Sequence, residues 1–538
     1  MSEQDQKAGA GTAAGAWAPF AHRVFTLLFI AQFVSNVGTW MQTVGAQWFL
    51  VEETDSPALV AWINTATTLP VLLLSLFAGV AADLFNRKRL IFWVSIASAA
   101  VGATLTWLTL TGLLTPALLL AATFLLGCAA AVIGPAWQAI QPELVARSEL
   151  PAAASLATVT VNGARAVGPA IAGIIVAAGG PGFVFALNAV SFLAVAIALL
   201  AWKRPPQRRG SQERVLAGLA AGLRYVRSAP SVRRILWRSL IFTFPASALW
   251  ALLPSAASSL MNAGAGGYSL LLALLGVGAV AGVVVMPKAR ELLSGSALLA
   301  VASILFAAGT AGAALLPLWG AAIASLVAGL GWILSLTTVN AGMQLILPAW
   351  VRARGLSVYL LVFMGSQAVG SFLWGSVSEF LGVRATLVLA AVLLVGAAAS
   401  VLVLPMPTTI GRLDRGVVPM SADGPVLLLE EGAPDDQPVL VHVVYTVPEE
   451  NRDAFLRAMD PVRRARRRTG AVRWSLAEER EAAERCRFVE EFQVGSWAEH
   501  QRQHEERWTG SDASLLEEAR GLAEGTPEVR HYLVRSEG

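Results

Sequence analysis

Residues Phe183–Trp202 read FVFALNAVSFLAVAIALLAW, twenty positions without a charged side chain, and the chain then turns at once to Lys203-Arg204-Pro205-Pro206. A helix of about 20 apolar residues crosses the roughly 30 Å hydrocarbon layer of a bilayer. Eleven more such runs fill residues 24 to 405. All twelve lie near 24–50, 58–80, 90–112, 116–139, 152–178, 183–202, 235–256, 268–287, 296–316, 318–341, 355–378 and 384–405. Only helices or closed barrels satisfy their backbone groups in lipid, and the alternation expected of barrel strands is absent. The sequence therefore predicts an all-α polytopic membrane protein with twelve transmembrane helices.

Composition agrees. The 538 residues are 55% hydrophobic, only 14% charged, and have a mean hydropathy of +0.60. Roughly half of the charged residues follow residue 434, so a soluble domain is expected after the membrane section. The basic pI of about 9.3 reflects loop topology, and no nucleic-acid partner is expected. Cys128 falls in an apolar run and Cys486 in the tail, which excludes a disulfide framework and a structural zinc site built on cysteines. Met1 to Ala21 lack the pattern of a cleavable signal, so the first apolar helix is expected to direct insertion.

Lys and Arg sit in alternate loops. Arg87, Lys88 and Arg89 follow span two, Arg147 span four, and Lys203 through Arg234 span six. Lys288 and Arg290 follow span eight, and Arg352 and Arg354 span ten. The opposite loops carry Glu52, Glu53 and Asp55 after span one, and one base, Arg384, after span eleven. The positive-inside rule then places both termini, the middle loop and the tail in the cytoplasm. The expected location is a bacterial cytoplasmic (inner) membrane.

The basic middle loop divides the spans six and six, and the halves repeat. Arg165-Ala166-Val167-Gly168 matches Gln367-Ala368-Val369-Gly370, each continuing to a second glycine, Gly173 and Gly375. Gln138 and Pro142 match Gln344 and Pro348, and Gly79 through Arg87 matches Gly282 through Arg290. Parallel repeats of this kind place a substrate cavity at mid-bilayer between two pseudo-symmetric six-helix bundles. The expected domains are 1–202 and 235–405 for the bundles, with a basic linker 203–234 between them. A second linker, 406–437, leads to a tail domain, 438–538.

The motif G-x-x-x-D-x-x-x-R-K-R, made by Gly79, Asp83, Arg87, Lys88 and Arg89, resembles the signature loop of the major facilitator superfamily. Gly134-Pro135-Ala136-Trp137-Gln138, Pro142-Glu143-Leu144-Val145 and Arg165-Ala166-Val167-Gly168-Pro169 are similar to the branch of enterobactin exporters and transmembrane secretion effectors. The resemblance implies alternating-access efflux of a small amphipathic molecule, siderophore- or antibiotic-like, driven by an ion gradient, usually protons. Two departures stand out. Met286 replaces the aspartate in the second copy of the signature loop, and span four lacks the arginine of many drug–proton antiporters. Gly168 and Pro169 match the antiporter motif of span five in part.

Among candidate transport residues, Arg165 is the one basic residue near the middle of a span. Arginine there costs about 2.5–3.5 kcal/mol on insertion scales, so it must face the interior, either binding an oxygen-rich or anionic substrate or pairing with a helix carbonyl. Asn162 and Gln367 are its expected companions. Gln32 and Asn36, four apart on one face, either read substrate or glue helices. Gly79, Asp83, Arg87 and Lys88 suggest a charge latch at a helix end, against the simpler reading that the bases only obey the positive-inside rule. No acid lies mid-span, so coupling through Asp83, coupling through a charged cargo, and no coupling all remain open.

In the tail, Val439–Tyr445 reads as a strand, Glu449–Arg468 as a helix, and Ala471–Leu476 and Arg487–Val494 as strands. Trp497–Trp508 and Leu515–Leu522 read as helical and Val529–Val534 as a last strand. The order βαββαβ suggests an α+β ferredoxin-like domain. It resembles the dimeric α/β-barrel modules of the antibiotic-biosynthesis monooxygenase type, which implies a homodimer through the tail. His500 and His504 have metal-ligand spacing, but without the zincin glutamate they read as a solvated helix face. Trp474, Trp497 and Trp508 read as core, and Arg463 to Arg468 as a solvated helix end. No cofactor and no resident metal are expected. A membrane-anchored enzyme with a catalytic tail, and a tail that senses substrate and gates the pore, are the alternatives to an exporter.

Overall fold

The computed structural model describes residues 17–202, 215–407, 413–418, 437–479 and 485–534. The side chains of 75–84, 215–221 and a few scattered positions, Asn162 among them, fall outside the described residues. So do the expected linker residues 203–214.

The membrane section consists of α1 (Arg23–Glu53), α2 (Pro57–Leu84), α3 (Arg87–Leu110), α4 (Pro116–Leu144), α5 (Leu150–Gly179) and α6 (Pro181–Ala201). Then follow α7 (Val215–Ser228), α8 (Pro230–Ser259), α9 (Ala265–Leu292), α10 (Gly295–Leu315), α11 (Leu318–Ile346) and α12 (Ala349–Ala399). Ten of the described helices are long and apolar enough to cross a membrane, with 349–402 counted as one. Gly382, at φ +78, divides that stretch into two rods, and α5 contributes a shorter apolar segment, Gly163–Gly179. Phe380, Ile174 and Trp319 are 88%, 73% and 73% exposed; faces of this kind suit lipid.

Local sequence sets the helix ends. The Asn86 side chain accepts from the Arg89 amide at 3.3 Å, and Thr115 caps α4 with Pro116 at its first turn. Gly180, at φ +82, ends α5, and Pro181 opens α6. Gly382 is its counterpart in the second half, 202 positions on, and both adopt the left-handed backbone that glycine tolerates. The middle segment read as a linker is partly helical: Arg224 and Arg227 lie on α7, and Arg233 and Arg234 on α8.

The chain forms two compact units. The first holds residues up to 209 with 238–338 and 361–405. Within it the repeat is visible in packing. A Cβ on Gly168 would meet Trp40 Cβ at 2.7 Å, and one on Gly370 would overlap Ser247 Oγ. A Cβ on Gly173 would overlap Ser269 Cβ, and one on Gly375 would meet Ala61 Cβ at 2.6 Å. The first glycine of each pair thus lets its helix lie on the first helix of its own half. The second glycine brings the halves together, α5 on α9 and α12 on α2.

Polar contacts also join the halves near the ends linked by the short loops 54–56 and 260–264. Tyr268 Oη donates to Gln47 Oε1 at 2.5 Å. Asn64 Nδ2 donates to Ser371 Oγ at 2.6 Å and Thr65 Oγ1 to Ala368 O at 3.0 Å. Glu379 accepts from Ser56 Oγ and from the Ala58 amide. Within the second half, buried Arg238 ties α8 to the far end of α12, donating to Leu404 O at 2.5 Å and Ser400 Oγ at 2.8 Å.

The second unit holds 210–237, 339–360 and 406–538. Its sheet contains β1 (Val439–Pro448), β2 (Ala471–Glu479), β3 (Arg485–Val494) and β4 (Glu524–Leu533), ordered β2-β3-β1-β4 and antiparallel throughout. Helix α13 (Arg452–Thr469) links β1 to β2. Helix α14 (Trp497–Arg502), a π turn (Gln503–Arg507) and α15 (Gly510–Arg520) link β3 to β4. Strand β1 buries alternate residues, Val439, Val441, Val443, Tyr445 and Val447, against Phe455, Met459 and Val462 of α13. Part of the expected second linker lies on this domain: the Val418 amide donates to Trp508 O at 3.0 Å, and the Ser511 amide to Asp414 O at 3.1 Å. Helix α7 also belongs here. Tyr225 meets Trp350 edge-on at 5.7 Å, and Arg224 donates to Glu499.

Candidate functional site

A cavity of about 390 Å³ opens inside the first six helices, and every lining residue falls between Phe25 and Val195. Its wall is a ladder of amides and hydroxyls on α1, with Gln32, Asn36, Thr39 and Gln42, faced by Gln138 of α4 and Asn188 of α6. Gln32 Nε2 donates to Asn36 Oδ1 at 3.0 Å, so the two amides share a face as their spacing predicts. Asn188 Nδ2 donates to Gln42 Oε1 at 2.9 Å. Buried Gln42 Nε2, Ser95 Oγ and Thr123 Oγ1 have no hydrogen-bond partner among the described residues. The wall holds no Asp, Glu, Lys, Arg or His among the described residues. Such a site suits a neutral, oxygen-bearing, partly apolar molecule.

The expectation of a cavity shared by the two halves differs from this arrangement. Across the halves Trp40 of α1 lies 6.3 Å from Trp250 of α8, and within the second half Trp250 lies 5.4 Å from Trp332 of α11. Phe242, Phe306 and Phe363 pack around Trp332.

Arg165 lies outside the cavity wall, on the aromatic side. Its guanidinium carbon is 5.4 Å from the Trp40 ring centroid, a cation–π distance. Its Nε and Nη1 are buried and have no hydrogen-bond partner among the described residues. Gln367 is half-buried on α12 and also lies outside the wall, and no hydrogen bond joins it to Arg165 among the described residues. Gly168 and Pro169 are buried in α5, where Gly168 admits Trp40. The side chains of Gly79 and Asp83, at the end of α2, and of Asn162 fall outside the described residues.

At that end of the bundle Arg87 donates to Glu143 Oε1 at 3.1 Å and to Ala139 O at 3.3 Å. Lys88 Nζ donates to Trp202 O. The described contacts of Arg87 thus pin α3 to α4, both in the first half. Sequence placed Glu143 near a helix end without naming Arg87 as its partner, because 56 residues separate them. Trp40, Trp250 and Trp332 carried no sequence signal beyond their size.

In the tail, the expectation of a solvated arginine run is corrected at Arg466. It is 1% exposed, bonded to Glu490 at 3.3 Å and stacked on Phe492 and Trp508. Glu490 also accepts from Tyr445 Oη at 3.0 Å and Trp474 Nε1 at 2.8 Å. Trp497 and Trp508 belong to the core and Trp474 packs against it, as expected. The solvated reading of His500 fails as well: it is 3% exposed and touches the rings of His504 and His531.

Comparisons with known proteins agree with this architecture. Over 151 residues the chain is 33% identical to the Staphyloferrin A transporter of Staphylococcus aureus, a match covering 28% of this chain and 38% of that one. Over 242 residues it is 29% identical to the Enterobactin exporter EntS of Shigella boydii, covering 44% and 57%. The Multidrug efflux pump Tap of Mycobacterium tuberculosis is 27% identical over 212 residues, covering 37% and 50%. The chain thus spans about two fifths to three fifths of the length of these curated relatives. Among solved structures, a mutant form of the nucleoside transporter NupG superposes with a TM-score of 0.59 at 12% identity, covering 71% of this chain and 99% of that one. The D-xylose-proton symporter gives 0.58 at 12%, covering 72% and 99%; at such identity the likeness shows the fold alone. The profile for transmembrane secretion effectors matches residues 14–537, nearly the full length. With its apolar helices this marks a multi-pass bacterial membrane protein of the major facilitator fold, and the chain belongs to the transmembrane secretion effector family.

Proposed function

We propose that the protein exports a small amphipathic molecule, siderophore- or antibiotic-like, across the cytoplasmic membrane by alternating access. The observation that carries this reading is the uncharged cavity, whose unpartnered amide and hydroxyl groups offer hydrogen bonds to an oxygen-rich cargo. Relatives named as an enterobactin exporter and a multidrug efflux pump support the direction, and one named as a staphyloferrin A transporter supports the class. Gln32 and Asn36 are the substrate-facing residues, and Arg165 acts from the aromatic layer between the halves. The basic-loop end faces the cytoplasm with both termini. A proton gradient is the proposed drive. With no acid or histidine among the described residues of the cavity wall, the proton is carried elsewhere, at the α2–α3 loop or by the cargo.

A tail that gates transport is favoured over a catalytic tail by one observation: the domain holds helix α7 of the middle loop through Arg224–Glu499. The outer sheet face, with His442 and Tyr532, is the surface on which two tails would pair. Proteoliposomes with an imposed pH gradient and a panel of cargoes test the reading. Asn36→Leu and Gln32→Leu are expected to raise the KM for export at least tenfold while sparing a cavity-remote control, Ser376→Ala. Deletion of residues after 437 is expected to change rate and leave cargo choice intact. Unaltered KM in both cavity variants, or product formation by the tail without transport, overturns it.

A further inference from the structure

Three of the five histidines of the chain meet in the tail: His500 on α14, His504 in the π turn and His531 on β4. One ligating nitrogen from each lies within 4.8 Å of the others. The rings touch, with centroids 4.5 Å apart for His500–His504 and 5.0 Å for His500–His531. From the juxtaposition of these three imidazoles we propose that the tail binds one borderline divalent metal ion of the zinc type, with water in a fourth position.

Local structure assembles the group. On β4 the burial alternates, and His531 shares the inward side with Val529 and Leu533, opposite Val441 of β1. Helix α14 starts at Ser496, whose side chain caps the Glu499 amide at 3.1 Å, and ends in the π turn that carries His504. Such turns are frequent at functional sites.

Hydrogen bonding selects the nitrogens. Gln503 Nε2 donates to Thr469 Oγ1 at 2.8 Å, which leaves Gln503 Oε1 as the acceptor 3.3 Å from His500 Nδ1. His500 is therefore protonated on Nδ1 and offers Nε2, as a metal-bound histidine does when its other ring nitrogen donates to a neighbouring acceptor. The rings of His504 and His531 make no hydrogen bond among the described residues. Arg466, a cation that would oppose a bound metal ion, is paired with buried Glu490 at 3.3 Å.

Nitrogen donors without thiolate or carboxylate suit zinc, copper(II), nickel and cobalt over magnesium or calcium. A tetrahedral site with metal–nitrogen bonds near 2.0–2.1 Å brings its nitrogens to about 3.3 Å from one another. The half-buried His504 and His531 side chains would close the difference by side-chain rotation. Sequence spacing exposed only two of the three ligands, since the third lies on a strand 27 residues beyond His504.

The test uses the full chain in detergent, purified on a tag without histidines. Equilibrium dialysis at micromolar free zinc is expected to retain one zinc per chain. Cobalt in its place is expected to give the intense visible absorption of four-coordination. The His504→Asn/His531→Asn double variant should bind at least 100-fold more weakly and lose the absorption, His442→Asn should bind as the parent does, and Gln503→Ala should bind about tenfold more weakly. Failure of the parent protein to retain zinc or to show the cobalt spectrum overturns the proposal. So does stoichiometric binding that survives in a folded double variant. Should that variant not fold, His442→Asn and Gln503→Ala decide: equal weakening of both, or of neither, overturns the site.

Discussion

The bond between Tyr268 and Gln47 offers the sharpest test of how the halves move. Both residues are 2% exposed, and the hydroxyl donates across the interface at 2.5 Å, from α9 of one half to α1 of the other. Tyr268→Phe removes one oxygen and keeps the ring stacked on Trp48, 6.3 Å away at 14°. Gln47 Oε1 is then a buried acceptor without a donor, which costs about 1–3 kcal/mol. In a state where this end opens, water reaches Gln47 and the cost disappears. The whole penalty therefore falls on the closed-end conformer and shifts the equilibrium by a factor of about 5 to 150. The assay is double electron–electron resonance between spin labels at Asp55 and Ala263, with Cys128 and Cys486 replaced by serine. The parent is expected to show one short distance, and Tyr268→Phe a second, longer population. Gln47→Leu with Tyr268→Phe should restore much of the short distance, because apolar replacement of both partners leaves nothing unsatisfied. A lower thermal stability with an unchanged distance distribution would show that the bond persists in every state, and would refute the reasoning.

Arg165→Gln removes a cation whose Nε and Nη1 lack partners among the described residues. Thermal stability is expected to hold or to rise by up to about 3 kcal/mol while turnover falls; a loss of stability with full turnover in proteoliposomes would mean the opposite role. Glu490→Gln strips the charge that Arg466, Tyr445 and Trp474 share, and chemical denaturation of the tail, followed by tryptophan fluorescence, should show a loss of about 3–5 kcal/mol. Glu499 is subject to burial, which would raise its pKa, but Arg224 and Arg507 outweigh it and hold the carboxyl below the usual range. Its contribution is in place above the ordinary glutamate pKa and fades as pH falls through the lowered one. Limited proteolysis between Lys203 and Ser228 should therefore be constant from neutral pH to about 5 and accelerate only in stronger acid; acceleration already near pH 6 would contradict the pairing.

Hydrophobic length and charged loops are local properties, and they were legible: the apolar runs, their loop alternation and the order of tail elements all stand in the chain as written. The glycine pairs Gly168/Gly173 and Gly370/Gly375 were legible as a repeat, whereas their partners Trp40, Ser269, Ser247 and Ala61 were not. The shared face of Gln32 and Asn36 was legible in their helical spacing. Arg87–Glu143, Arg466–Glu490 and the three histidines were not, because each joins elements whose separation in sequence is unrelated to their distance in space. An arginine in a basic run gives no sign of being the buried one.

What the linear chain decides here is which segments are long and apolar enough to enter lipid, since transfer free energy adds residue by residue. Which residues line the cavity, and which cations find carboxylates, were decided only by close packing in three dimensions. Trp40 meets Trp250 across the halves and Trp250 meets Trp332 within the second, and no single segment carries the information that their rings meet.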